Sequence, residues 1–152
     1  MEVEARMFFE KLAEDTAVPE LKNLFTLLAE SEQEHHNALV GMKENMDSRK
    51  VKFKELQPVA CLFKPLLAKR DLGVDIMEES DQYQQIVKEE EKGISFYEEL
   101  AAQTQDEETR KILLMIVDEE RKHLSIVKNI YSFVESPKNF LVNAEFSNLK
   151  EY

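Results

Sequence analysis

Glycine and proline are scarce, with three and four residues in a chain of 152. A fold made of many strands needs tight turns that draw on both, so the scarcity argues against an all-β architecture. Cysteine is scarcer still. Cys61 stands alone, which leaves no internal disulfide and no thiolate iron centre within the chain. Its simplest role is that of a small apolar side chain. Long apolar runs are missing too. The longest uncharged stretch, Leu56 to Phe63, is far shorter than the ~20 residues a membrane-spanning helix needs. No basic-then-apolar leader opens the sequence, so a cytoplasmic location without a membrane partner is expected. Positive charge is in deficit. A formal net charge of −11 argues against a nucleic-acid partner, because binding phosphate needs a continuous basic surface.

What the chain does contain is helix-forming sequence, and 43% hydrophobic residues are enough for a core in one domain. Apolar residues recur at helical spacing over Glu2 to Asp15, Pro19 to Glu44, Asp81 to Gln103 and Glu107 to Val134. Pro19 suits the first turn of the second segment, and Asp106 can cap the fourth. Short joints within each pair predict two antiparallel hairpins, and the long stretch 45–80 predicts a crossover between them. The fold class expected is all-α, a four-helix bundle over residues 1–135. Residues 136–152 read as a C-terminal tail with one short helical turn around Ala144 to Leu149.

An internal repeat appears when the sequence is shifted by 88 residues. Phe8, Glu10, Leu12, Ala13, Thr16 and Glu20 then fall on Phe96, Glu98, Leu100, Ala101, Thr104 and Glu108, with Phe9 on Tyr97. The same shift places Glu2 on Glu90, Glu32 on Glu120 and His35 on His123. Three potential metal ligands thus occur twice, in register.

Helix geometry tests their placement. Leu113, Val117, Glu120, His123 and Val127 step along one stripe. Leu21, Leu24, Leu28, Glu32, His35 and Leu39 do the same, as do Tyr83, Ile86, Glu90, Gly93, Tyr97 and Leu100. Glu2 and Glu32 each lie 15 residues from Ala17 at the first joint, and Glu90 and Glu120 each lie 15 from Gln105 at the second. At 1.5 Å per residue each pair sits roughly 22 Å from its joint, so four carboxylates and two imidazoles can meet in one layer. Two divalent cations would balance that charge. Bridging carboxylates with one imidazole per ion suit iron or manganese, and zinc also fits.

A single Glu-x-x-His in so acidic a chain would most simply mark a solvated face; two in repeat register inside core stripes point to a metal site. Glu34, Glu89, Glu91 and Glu119 flank the stripes and are expected at the surface. His36 lacks a Glu three residues earlier and is expected at the surface or behind the ligands. Phe8, Phe9, Phe96 and Tyr97 are expected in the core, with the Tyr97 hydroxyl able to hydrogen-bond a ligand carboxylate. Arg49, Lys50, Lys52, Lys54, Lys64, Lys69 and Arg70 form a basic island, simplest as a solvated crossover and otherwise a docking patch for an acidic electron donor.

Glu2-x-x-Ala5-x-x-x-Phe9, Glu32-x-x-His35, Glu90-x-x-Gly93-x-x-x-Tyr97 and Glu120-x-x-His123 together resemble the di-iron domain of the rubrerythrins, within the ferritin-like bundles. The resemblance implies that Glu2, Glu32, His35, Glu90, Glu120 and His123 bind two iron ions, with Glu32 and Glu120 as bridges. It implies an oxidoreductase that reduces peroxide or dioxygen. The chain departs from the family in three places. Peroxidase members carry an extra Glu one turn beyond the third-helix ligand, where this chain has Gly93, a residue that leaves room for a ligand or a ring. The sequence shows no rubredoxin-type cysteine pairs, so electrons are expected to come from an external donor protein. Glu2 has almost no helix before it, so the first ligand is exposed to fraying unless the natural chain begins earlier. Iron handling without a specific substrate, and a bundle with a structural metal, are the competing readings; a homodimer is the expected assembly. Replacing Glu120 or His123 with Ala should lower metal binding, measured by titration, far more than replacing Glu119 or His36. Equal losses at all four positions would overturn the ligand assignment.

Overall fold

The computed structural model describes residues 1–57, 61 and 80–135. Four long helices carry most of them, and there is no strand among the described residues. The helices are α1 (Glu2–Asp15), α2 (Pro19–Lys43), α3 (Ser80–Gln103) and α4 (Glu107–Glu135). The expected helical segments are therefore met to within one residue at each end. The tail 136–152, its short helical turn, and residues 58–60 and 62–79 of the crossover lie outside the described residues.

The two joints show that the repeat extends to chemistry. At the first, the Thr16 N–H donates to the Leu12 carbonyl at 3.0 Å, and the Thr16 hydroxyl accepts from the Val18 N–H at 3.3 Å. At the second, 88 residues on, Thr104 N–H donates to Leu100 at 3.0 Å and the Thr104 hydroxyl accepts from Asp106 N–H at 3.3 Å. The hydroxyl replaces a backbone partner where the chain leaves one helix and enters the next. Pro19 sits in the first turn of α2 as its fixed φ requires. Asp106 caps α4 as expected, accepting from the Thr109 N–H at 2.7 Å, and that bond holds its carboxyl below the usual range. Arg110 closes the second joint by donating to the carbonyls of Ala101 at 3.2 Å and Thr104 at 2.8 Å, the end of α3 where acceptors lack helical partners.

α2 ends in a Schellman turn. Asn45 takes a left-handed φ of 56°, the Met46 N–H donates to the Gly41 carbonyl at 3.0 Å, and the Asn45 N–H to Met42 at 3.2 Å. The crossover begins with a 3₁₀ turn, Ser48–Lys50, capped by Asp47. The Arg49 guanidinium beside Asp47, with the Arg49 N–H, pulls its carboxyl down to about 2. The Ser48 N–H donates to Glu108 Oε2 at 2.9 Å, tying the crossover to the first turn of α4.

The described residues gather into two compact units. The first is Met1–Glu55 with Ser95–Glu119. In it α1 packs on α2, burying Phe9, Leu12, Leu21, Leu24, Phe25 and Leu28 along with Tyr97, Ile112, Leu113 and Ile116. The second comprises 56–57, 61, 80–94 and 120–135, and buries Tyr83, Ile86, Ile126, Ile130, Phe133 and Val134.

Five expectations about burial need correction, the first being Phe8, which is half-buried rather than core. Leu100 and Phe96 are exposed rather than core, at 37% and 46%. A strict four-three alternation repeats every 3.5 residues, whereas an α-helix turns every 3.6, so the buried line after Tyr97 drifts onto Ala101. Glu119 is buried rather than at the surface, because Ile112, Ile116, Glu119, His123, Ile126 and Ile130 form a second buried row on α4. Cys61 is exposed and does not pack as a small apolar side chain. Glu34 is half-buried, while Glu89 and Glu91 are exposed and pair with Lys92 and Lys128 as surface charges do.

The Ser48 N–H, aided by Lys111, holds the Glu108 carboxyl near 2, below its ordinary 4.5. A depressed carboxyl stabilises the fold above its unfolded-state value, and this contribution is lost as pH falls toward 2. Urea unfolding followed from pH 4.5 to 2 should show a shallower acid loss in Glu108→Gln than in the unaltered chain. Identical slopes would mean that this tether contributes nothing.

Candidate metal centre

α2 places Glu32 and His35 one turn apart on its buried face, and α4 does the same with Glu120 and His123. In both, the imidazole Nδ1 faces its own helix's carboxylate, at 3.7 Å from Glu32 Oε2 and 3.5 Å from Glu120 Oε2. The i, i+3 spacing brings the pairs together as it does for any two side chains on one helical ridge. One donor atom from each of Glu32, His35, Glu120 and His123 lies within 4.8 Å of the other three, and all four residues are buried.

Glu2, from the first turn of α1, reaches His35 Nδ1 at 3.8 Å with Oε2. Its Oε1 accepts a hydrogen bond from the buried Tyr97 hydroxyl, the contact anticipated for that side chain. Glu2 is 5% exposed, so it is held in the interior rather than frayed. Glu90 is buried as well but is not one of the four clustered residues. Gly93 is buried on α3.

The donor set fits a metal ion. The His–Glu separations of 3.5 to 3.8 Å exceed ordinary N–H···O lengths. Two ligands bound to one ion at about 2.1 Å stand roughly 3.0 to 3.5 Å apart, close to what is found. Burying several carboxylates is costly unless cations compensate them, and nitrogen and oxygen donors without thiolate suit iron, manganese or zinc.

Sequence reasoning missed one neighbour of this cluster. Phe53 sets the edge of its ring against His35, with centroids 5.1 Å apart and planes at 82°. It belongs to the stretch expected to be a solvated crossover. That stretch is pinned along α2: the Lys54 N–H donates to Glu34 Oε2 at 2.8 Å, and Lys54 Nζ pairs with Glu30 at 3.3 Å. Val51 and Leu56 bury on either side. Two members of the basic island, Arg49 and Lys54, are therefore matched with acids of this chain, while Lys64, Lys69 and Arg70 lie outside the described residues. His36 is half-buried and lies outside the cluster.

A family model described as Rubrerythrin matches residues 1–139 of the chain. No significant match to a curated protein or to a solved structure was found. If the cluster holds a metal, Fe²⁺, Mn²⁺ or Zn²⁺ supplied at about 100 times its Kd should raise the unfolding free energy by about 2.7 kcal/mol in thermal melts. Glu32→Ala and Glu120→Ala should lose that gain while His36→Ala keeps it. A gain that survives both carboxylate replacements would remove the cluster from consideration.

Proposed function

The chain belongs to the rubrerythrin family, with the all-α, ferritin-like four-helix-bundle fold, and from that premise we propose that it is a non-haem di-iron oxidoreductase that reduces peroxide or dioxygen. The observation that carries the reading is the buried cluster of two carboxylates and two imidazoles with donor atoms within 4.8 Å of one another. In this proposal Glu32, His35, Glu120 and His123 would hold the ions, with Glu2 and Glu90 completing the set.

Bound iron at such a site supplies reversible one-electron chemistry. The chain's own residues prepare the surroundings. Tyr97 fixes one oxygen of Glu2 through its hydroxyl and leaves the other directed at His35. An orienting hydrogen bond of this kind sets the angle of a ligand and raises its precision as a donor. Phe53 covers the His35 ring, and the full burial of both imidazoles excludes bulk water. Reduction of hydrogen peroxide then needs two electrons and two protons to yield two waters, with the electrons drawn from an external donor protein. No helix among the described residues is long and apolar enough to cross a membrane.

Metal content by mass spectrometry, for protein expressed with ample iron, tests the proposal together with the visible spectrum of the reduced protein before and after peroxide. About two irons per chain, with a spectral change on peroxide and turnover supported by a reduced donor protein, is the expected result. Iron uptake without donor-dependent turnover would assign the chain to iron handling instead. Bound zinc indifferent to peroxide would make the metal structural.

A further inference from the structure

His35 is fully buried, yet part of its cover is not helical. Glu2 and Glu32 approach the imidazole from α1 and α2, whose backbones are bonded turn by turn. Phe53 approaches it from a non-helical stretch of the same compact unit. Between described residues, no backbone-to-backbone hydrogen bond involves 52–57. Side chains alternate there: Val51 is buried, Lys52 exposed, Phe53 half-buried and Lys54 exposed. An extended chain gives that alternation, with one side turned inward and the other to water.

Lys54 holds the stretch against α2. Its N–H donates to Glu34 Oε2 at 2.8 Å, and its Nζ pairs with Glu30 at 3.3 Å. The Lys54 and Glu30 side chains are 62% and 58% exposed, so water competes for their pairing. Upstream the chain is fixed more firmly. The Val51 N–H closes the 3₁₀ turn on the Ser48 carbonyl at 3.2 Å, and Glu108 holds the Ser48 N–H at 2.9 Å. A segment anchored at one end and tied down at the surface opens before the helices beneath it do.

We propose that residues 51–55 are a hinged strap over His35, with Phe53 as its plug and the Glu34–Lys54 bond as its latch, and that its lifting is the route by which a divalent cation enters and leaves the cluster. A buried metal site needs an entry path. Lifting Phe53 uncovers one imidazole for an arriving cation and leaves α1 and α2 intact. Opening the latch also takes Lys54 away from Glu30 and Glu34, and the two carboxylates then stand at the entrance as negative charge that attracts a cation. The cation route rests on the metal-centre reading; access to His35 does not.

The test is labelling of the metal-free full chain with diethyl pyrocarbonate, read at each histidine by mass spectrometry, followed by the rate at which EDTA strips zinc from the loaded chain. Phe53→Ala should speed labelling of His35 by about tenfold or more, and Glu34→Ala by about threefold or more, with His123 unchanged. Glu89→Ala, which removes an exposed acid on α3, should leave His35 labelling as it was. Zinc release should quicken by the same factors while equilibrium zinc affinity changes by less than about threefold, because a gate alters entry and exit together. Unchanged His35 labelling in both strap variants would overturn the proposal. So would an equal rise at His123, which would mean general loosening of the fold. Faster labelling with unchanged zinc release would overturn the cation route. A chain that labels faster at His35 but binds no zinc would remove the metal-centre reading, and the cation route with it, while keeping the strap.

Discussion

Carboxylates and imidazoles buried in the interior constrain everything around them in this chain. Glu2, Glu32, Glu90 and Glu120 are all at most 7% exposed, and His35 and His123 are fully buried. Ionised groups leave water at a cost of several kcal/mol each unless something of opposite sign meets them. The helices therefore bring their acidic residues to a place where hydrogen bonds, protons or cations must meet them. They must also seal that place with apolar neighbours so that the electrostatics act at full strength. The stripes of Leu, Ile and Val above and below each Glu and His do the sealing, and the same helical ridge that buries them aims the ligands.

Positioning depends on the joints as much as on the helices. A side chain's height along a helix is fixed by counting residues from the turn, so a joint that slips by one residue turns every ligand about 100° away. Both joints use the same device, a Thr hydroxyl that accepts the N–H two residues ahead, with the same two lengths of 3.0 and 3.3 Å at Thr16 and Thr104. The second adds Asp106 and Arg110, which satisfy the ends of α3 and α4 where the first relies on Pro19. The repeated hairpin thus carries both the Glu-x-x-His pair and the corner that sets its register.

The crossover contributes more than a connection. Glu108 holds its start through the Ser48 N–H, Glu30 and Glu34 hold Lys54, and between these tethers Phe53 is laid against His35. A single aromatic ring there protects one imidazole from solvent without supplying a ligand. The neighbouring acidic residues that look like surplus charge, Glu30, Glu34 and Glu108, are the anchors of that segment.

Helix number, helix ends, the repeat and the buried faces of Glu2, Glu32, His35, Glu90, Glu120 and His123 were legible in the sequence, because helical period and turn distance are local properties that one chain of letters carries. The exposure of Phe96 and Leu100, the burial of Glu119 and the contact of Phe53 with His35 were not. Each depends on where a second element comes to rest: the slow drift between 3.5 and 3.6 residues per turn decides which side chain faces a neighbour, and a tether 20 residues away in sequence decides where a loop lies. The sequence alone determined that six ligand-type residues would face inward. Only the tertiary structure decided that Glu32, His35, Glu120 and His123 would draw within 4.8 Å and that Tyr97 would hold Glu2 beside them, because convergence of separate helices is a property of their packing and not of any one of them.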